Sequence, residues 1–135
     1  MQSLYEVKNP MSFDSEALAH MYNTAKDLLR ETTPQQYTQT IVLLTASNKE
    51  YGAVIHNAIS QIKSDEKALL HKLRAASDTE IRYVLCMWAN GGVDIPSYHF
   101  RKMLFELNHK NEDAGILIRA KDGYSAMKLG ITLKH

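Results

Sequence analysis

Glu66 is the residue of this sequence whose type and position most directly suggest chemistry. Leu69, Leu70 and Leu73 follow it at helical spacing, so Glu66 falls on the buried stripe of the same helix. A carboxylate that faces a protein core needs a partner, or it takes up a proton. Such a group can act as a general acid or base. The structural alternative is that Glu66 lies in the first turn of the helix, where an acid favours the helix dipole and can reach solvent.

A second polar stretch opens a later helix directly after a Gly-Gly loop. Ser97 and Phe100 stand three positions apart, on the side of this helix that also carries Met103 and Leu104. In parallel α/β sheets, ligands favour the edge where strands end and helices begin. The structural alternative makes Ser97 a helix cap and Phe100 a core residue, and we favour it for these two side chains.

Histidines and the single cysteine offer weaker candidates. His56, Glu66 and His99 form a set of types that can bind zinc or iron. His99 follows Ser97 by two positions, however, so it is expected to point away from the core, and a metal site is not predicted. Cys86 is the only cysteine and lies within an apolar run, which predicts a buried core residue and excludes an internal disulfide.

An alternating chain of helices and strands must position these residues. Helical periodicity predicts helices at 13–30, 64–76 and 97–108, and apolar β-branched runs predict strands at 37–46, 51–56, 81–89 and 115–120. A turn at 47–50 joins the first two strands as a hairpin, and residues 125–133 fit neither type. Two successive βαβ crossovers predict parallel pairing in the second half. The fold class is therefore α/β, a three-layer α/β/α sandwich with a mixed sheet.

Size, charge and hydropathy limit the possible classes of protein. The chain has 135 residues, which predicts a single domain over 1–135, and its net charge of +1 argues against strong nucleic-acid binding. The longest apolar runs, at 41–44 and 84–89, are too short to cross a membrane. Residues 1–10 lack the apolar region of a secretory signal, so we expect a cytoplasmic protein.

Three motifs follow one another in the order of a known family. Residues 52–58 read G-A-V-I-H-N-A, residues 64–66 read S-D-E, and residues 96–106 read P-S-Y-H-F-R-K-M-L-F-E. The segment 50–118 thereby resembles the cytidine deaminase family, whose motifs are G-x-N-x-E-N-A, then C-A-E or H-A-E, then P-C-x-x-C-R-x-x-L-x-E. The resemblance implies a cytidine deaminase-like fold for the whole chain.

The departures from the family pattern decide what the resemblance implies about activity. In the family, three Cys or His side chains hold zinc, and a glutamate moves the proton while zinc-bound hydroxide attacks the base. Glu66 keeps the glutamate position, but the ligand positions read Ser64, Ser97 and Phe100, which are poor or impossible zinc ligands. The family's two sugar-contacting positions read Val54 and His56.

Two functional interpretations follow from these departures. The leading one is a non-catalytic, zinc-free relative of the deaminases that needs no cofactor and acts as a binding or assembly protein. The alternative is an active deaminase of cytidine-type nucleosides with an atypical metal site. The resemblance also implies a homo-oligomer, either a dimer or a tetramer.

The predicted ligand site lies where the helices at 64 and 97 begin. If both helix starts meet, their unpaired N–H groups and the hydroxyls of Ser64 and Ser97 would suit a small anionic or nucleoside-like ligand. His56 and Arg101 are the further candidate ligand-binding residues. In the competing interpretation, Phe100 and its apolar neighbours simply fill the space that zinc would occupy.

Overall fold

The computed structural model describes residues 12–31, 38–56, 59–120 and 123–134. Its helices are α1 (Ser15–Arg30), α2 (Ile59–Ala75), α3 (Tyr98–Leu107) and α4 (Leu129–Thr132), with a 3-10 helix at His109–Asp113. Its strands are β1 (Gln39–Thr45), β2 (Glu50–Ile55), β3 (Ile81–Trp88), β4 (Val93–Asp94), β5 (Gly115–Ala120) and β6 (Gly123–Lys128).

The strands form one mixed sheet in the order β2-β1-β3-β5-β6, with the short β4 added to β3. β1 is antiparallel to both β2 and β3, whereas β3 and β5 are parallel. Of the two predicted crossovers, only the one from β3 to β5 joins strands that pair, and this pairing is parallel as predicted. The crossover from β2 to β3 joins two strands that run in the same direction but are separated in the sheet by β1.

Apolar side chains of the sheet belong to two separate hydrophobic cores, one on each side of the sheet. Val84 and Cys86 of β3 pack with α2 and α3, whereas Leu85 and Met87 pack with α1. This alternation explains why β3 reads as a continuous apolar run, since a strand covered on both sides has no solvent-facing side. The layers are thus α1, then the sheet, then α2 and α3, which confirms the predicted three-layer sandwich.

Local sequence signals explain most element boundaries. Asp14 caps α1, because its Oδ1 accepts from the backbone N–H of Glu16 at 2.9 Å and of Ala17 at 3.3 Å. The hairpin turn places Asn48 at φ +68°, a left-handed conformation that asparagine tolerates better than most residues. Residues 125–133, which fitted neither type, divide between the edge strand β6 and the short α4.

Some predicted features fall wholly or partly outside the described residues. The predicted strand 37–46 is observed as Gln39–Thr45, and residue 37 is not among those described. Residues 57 and 58 of the first motif are likewise not described. Within the described part of the chain, no helix combines the length and apolar character needed to cross a membrane.

Candidate functional site

Glu66 lies in the body of α2, on the side that packs against the sheet. α2 begins at Ile59 rather than at residue 64, so Glu66 is in its third turn. Only 2% of Glu66 is exposed, and Leu69 and Leu73 on the same stripe are fully buried. The predicted burial is therefore confirmed. The structural alternative of a first-turn acid reaching solvent is wrong, because the helix starts one turn and a half earlier than predicted.

Ser97 connects this buried acid to the start of α3. It is the N-cap of α3, where its Oγ accepts from the backbone N–H of Phe100 at 3.1 Å. The same hydroxyl donates to Oε2 of Glu66 at 2.9 Å. The predicted cap and the predicted core position of Phe100, which is fully buried, are both confirmed. Sequence analysis did not predict that the capping hydroxyl would be the partner of Glu66.

The surroundings of Glu66 favour its protonated form. Burial is the largest influence and raises its pKa, while the Ser97 hydrogen bond and the nearby His99 act in the opposite direction and Asp65 adds to the rise. The net effect is a raised pKa. His99 is exposed and so lies outside the core, as predicted, but it is near enough to Glu66 to influence the pKa of that carboxyl. Glu66 can donate a hydrogen bond when protonated and accept one when ionised.

Asp65 and His56 form a hydrogen-bonded pair next to Glu66 along the chain. Oδ2 of Asp65 lies 2.9 Å from both the backbone N and the Nδ1 of His56, and Oδ1 accepts from Gln61 at 2.9 Å. Burial pushes the pKa of Asp65 up, but these hydrogen bonds outweigh it and the pKa is lowered. His56 remains mostly exposed, with 57% of its side chain accessible. An ionised Asp65 thus fixes the imidazole of His56. We call the four residues Glu66, Ser97, Asp65 and His56 the Glu66 cluster.

Sequence reasoning missed Asp65, and the cause is the misplaced start of α2. The predicted start at residue 64 made Asp65 an ordinary first-turn residue. Ile62 continues the apolar spacing one turn before Glu66 and would have extended the helix backwards. In an extended helix, Asp65 can reach back to the end of β2, where His56 lies.

Two of the predicted ligand-binding residues lie in other surroundings. Ser64 is exposed and lines a groove on the outer side of α2 with Lys67 and His71. Two positions within a helix differ by about 200° around its axis, so Ser64 and Glu66 face opposite directions. Arg101 is buried, and its guanidinium donates to the carbonyls of Pro96 at 3.0 Å and Thr132 at 2.7 Å. It thereby holds the start of α3 against α4.

The donors at the three family ligand positions do not fit a zinc ion. Ser64 faces outward, the Ser97 hydroxyl is engaged by Glu66 and by the Phe100 N–H, and Phe100 has no donor atom. Zinc in proteins requires converging thiolate, imidazole or carboxylate ligands. Across the described ranges, no group of three or more His, Cys, Asp or Glu side chains is arranged to hold a metal ion.

Comparison with known proteins supports the fold but adds no sequence relative. No family model matches the chain, and no curated protein matches it. Among solved structures, it is similar to cytidine deaminase from Mycobacterium leprae, with a TM-score of 0.66, 14% identity, and coverage of 87% of this chain and 98% of that chain. Cytidine deaminase from Mycobacterium tuberculosis gives a TM-score of 0.63 at 16% identity, covering 86% of this chain and 93% of that one.

A third structure extends this likeness beyond mycobacteria. Cytidine deaminase from Burkholderia pseudomallei gives a TM-score of 0.62 at 13% identity, with 84% of this chain and 93% of that chain covered. The chain therefore has a cytidine deaminase-like fold, as the motifs predicted. Because the sequence identities to these three structures are only 13–16%, the similarity shows a shared fold alone.

Proposed function

We propose that this chain is a zinc-free, non-catalytic binding protein built on a deaminase-like fold, with its ligand site at the Glu66 cluster. One observation carries the proposal: Glu66 is hydrogen-bonded to Ser97, at a position where a deaminase would need a metal ligand. With Phe100 in the core and Ser64 turned outward, the general acid is present without the group that would activate water.

The contacts of Glu66 favour a neutral, nucleoside-like ligand over an anion. The carboxyl group lies beside the N-cap of α3, so any anion placed there meets a group that becomes negative when ionised. The start of α2 is more than a turn away from Glu66 and cannot supply the second helix end that anion binding would use. In this proposal the side chains around Glu66, which is only 2% exposed, move aside so that a neutral ligand with N–H donors bonds to its carboxyl group and meets the exposed His56 with its polar edge.

The first experiment measures metal and turnover in one preparation. Protein purified without chelators should contain far less than one zinc ion per chain, as measured by inductively coupled plasma mass spectrometry. It should release no ammonia from cytidine, deoxycytidine or cytosine. One zinc per chain together with ammonia release would overturn the proposal in favour of an active deaminase with an atypical metal site.

The second experiment tests the ligand site itself. Calorimetric titration with cytidine and uridine should show binding that weakens about tenfold in Glu66→Gln, the size expected for the loss of one hydrogen bond. Glu16→Gln, on the exposed first turn of α1, makes the same chemical change elsewhere and should bind as the wild type. Equal affinity in all three proteins would contradict a site at Glu66.

The assembly part of the proposal concerns self-association. We expect a dimer or a tetramer, as the family resemblance implies, and light scattering coupled to size-exclusion chromatography measures it directly. A monomer at concentrations up to about 100 μM would contradict this part, because a stable interface of standard size holds well below that concentration. It would leave the ligand-binding part to the titration.

A further inference from the structure

α2 and α3 border a groove whose lining residues do not include Glu66 or Ser97. Its volume is about 560 Å³, and it is open to solvent along its length. We call it the outer groove, and its lining residues are Ser64, Lys67, Ala68, Leu70, His71, Arg74, Met103 and Glu106. Lys67, His71 and Arg74 lie about 80–140° around the axis of α2 from Glu66, so a ligand here contacts a different side of the helix from one at Glu66.

Positive charge is concentrated on the exposed surface of α2 and α3, where Lys67, Arg74 and Glu106 are the charged residues that line the outer groove. The exposed charged side chains of α2 and α3 are Lys63, Lys67, Lys72, Arg74, Lys102 and Glu106. Five positive charges and one negative charge give +4, against +1 for the whole chain, which leaves −3 for all other residues. Among the described residues, none of these five cations takes part in an ion pair. The charge is therefore available to a partner.

We propose that the outer groove binds an acidic peptide segment that carries an apolar anchor side chain. Lys67, His71 and Arg74 follow one another at four and three positions, which places them in a row roughly 10 Å long on one side of the helix. Two cations with a hydrogen-bonding imidazole between them match an extended chain of carboxylates rather than a single point charge. Ala68, Leu70 and Met103, which also line the groove, provide an apolar floor for the anchor.

Other occupants fit these features less well. A small anion needs donors that converge on one point, whereas these cations are spread along a helix. A second copy of the chain that pairs this surface with itself would oppose lysines with lysines, which is unfavourable. A nucleic acid would satisfy the charges, but the apolar floor would remain without a partner.

The test uses a fluorescein-labelled peptide of about twelve residues, mainly glutamate with a central leucine pair, and fluorescence anisotropy as the readout. We expect saturable binding to the full chain that weakens between about 50 and about 200 mM salt, since exposed charges are screened. The double variant Lys67→Glu and Arg74→Glu should lose about tenfold or more in affinity. Replacing the leucine pair of the peptide by serine should also weaken binding, which separates an anchored peptide from a simple polyanion.

The matched control moves the same charge change to another surface. Lys26→Glu and Arg30→Glu, both exposed on α1, also shift the net charge by four units and should change affinity by less than about twofold. Equal losses in both double variants would overturn the proposal, because they would show an effect of net charge alone. Tight binding of a single-stranded oligonucleotide with no binding of the peptide would also overturn it. Circular dichroism of each variant confirms that it is folded.

The outer-groove proposal and the Glu66 proposal fail independently. Excess cytidine should leave peptide binding unchanged, and Glu66→Gln should bind the peptide as the wild type does, since Glu66 is buried on another side of α2 and does not line the outer groove. Competition between cytidine and the peptide would show that one site had been mistaken for two and would overturn the assignment of the outer groove.

Discussion

The hydroxyl of Ser97 lies 2.9 Å from Oε2 of Glu66 and 3.1 Å from the backbone N of Phe100. One side chain therefore caps α3 and also supplies a hydrogen bond to the buried acid of α2. Helix capping and satisfaction of a buried carboxyl are usually separate tasks. Here they depend on the same oxygen atom, so a change at Ser97 affects both.

Ser97→Ala should destabilise the protein by about 2 kcal/mol. Loss of a helix cap costs roughly 0.5–2 kcal/mol, and leaving a buried carboxyl without its donor adds to that cost. Urea unfolding at pH 7 measures the difference in free energy of unfolding. Ser64→Ala makes the same chemical change at an exposed position and should alter stability by no more than about 0.5 kcal/mol. A comparable loss in both variants would contradict the outward orientation of Ser64.

Glu66→Gln should become more stable relative to the wild type as the pH rises. The folded-state pKa of Glu66 lies above its ordinary value of 4.5, mainly through burial, so the native state binds the proton more tightly than the unfolded state. The wild type therefore loses stability as the pH rises from 4.5 through the folded-state pKa, whereas the glutamine variant has no such loss at this position. Urea unfolding of both proteins between pH 4 and pH 8 measures the effect. A difference that stays constant over this range would contradict a raised pKa.

Arg101→Lys should cost about 2 kcal/mol despite keeping the charge. Lysine lacks the planar fork with which Arg101 reaches the carbonyls of Pro96 and Thr132, and hydrogen bonds to charged groups contribute roughly 1.5–3 kcal/mol. Lys102→Ala, at the neighbouring exposed position, should change stability little. If Arg101→Lys folds with unchanged stability but loses affinity for a ligand, Arg101 belongs to the binding site, as the sequence predicted.

The thiol of Cys86 should not react with an aromatic disulfide reagent in the native protein. Cys86 is fully buried, and burial raises the pKa of its thiol, with the charges of Asp94 and Glu66 adding to the rise. The reactive thiolate is therefore both scarce and inaccessible. One thiol per chain should react after unfolding in urea, since the chain has one cysteine. In the variant Ser64→Cys, one thiol per chain should react rapidly without urea, because residue 64 is exposed. A slow reaction would show that residue 64 is buried.

The accuracy of each predicted boundary depended on how clearly the apolar pattern marks that end of the element. β3 and α1 were predicted within two residues because their apolar patterns extend over the whole element. The predicted start of α2 at residue 64 was wrong, because the prediction overlooked Ile62, which continues the helical spacing one turn before Glu66. β6 was missed because it is an edge strand with exposed residues at Tyr124 and Lys128, so it lacks the pattern of a buried strand.

The candidate site was predicted only in part, because the pattern of a single element reveals local properties alone. Spacing along one helix identified Glu66 as buried and Ser97 as a cap, and both are local properties. The Ser97–Glu66 contact joins elements that are distant in sequence, and the engagement of Arg101 by Thr132 depends on how α4 packs. Neither can be derived from the pattern of a single element.

The order of the strands also has a consequence for how the chain folds. The β1–β2 hairpin pairs neighbouring segments, whereas β3 pairs with β1 although β2 and the whole of α2 separate them along the chain. Short loops close with a smaller entropy loss than long ones, so the hairpin is expected to assemble before β3 docks. The carboxyl of Glu66, on the connecting helix, would then leave water late. Substitutions there should mainly change how fast the native state opens and have little influence on how fast it forms.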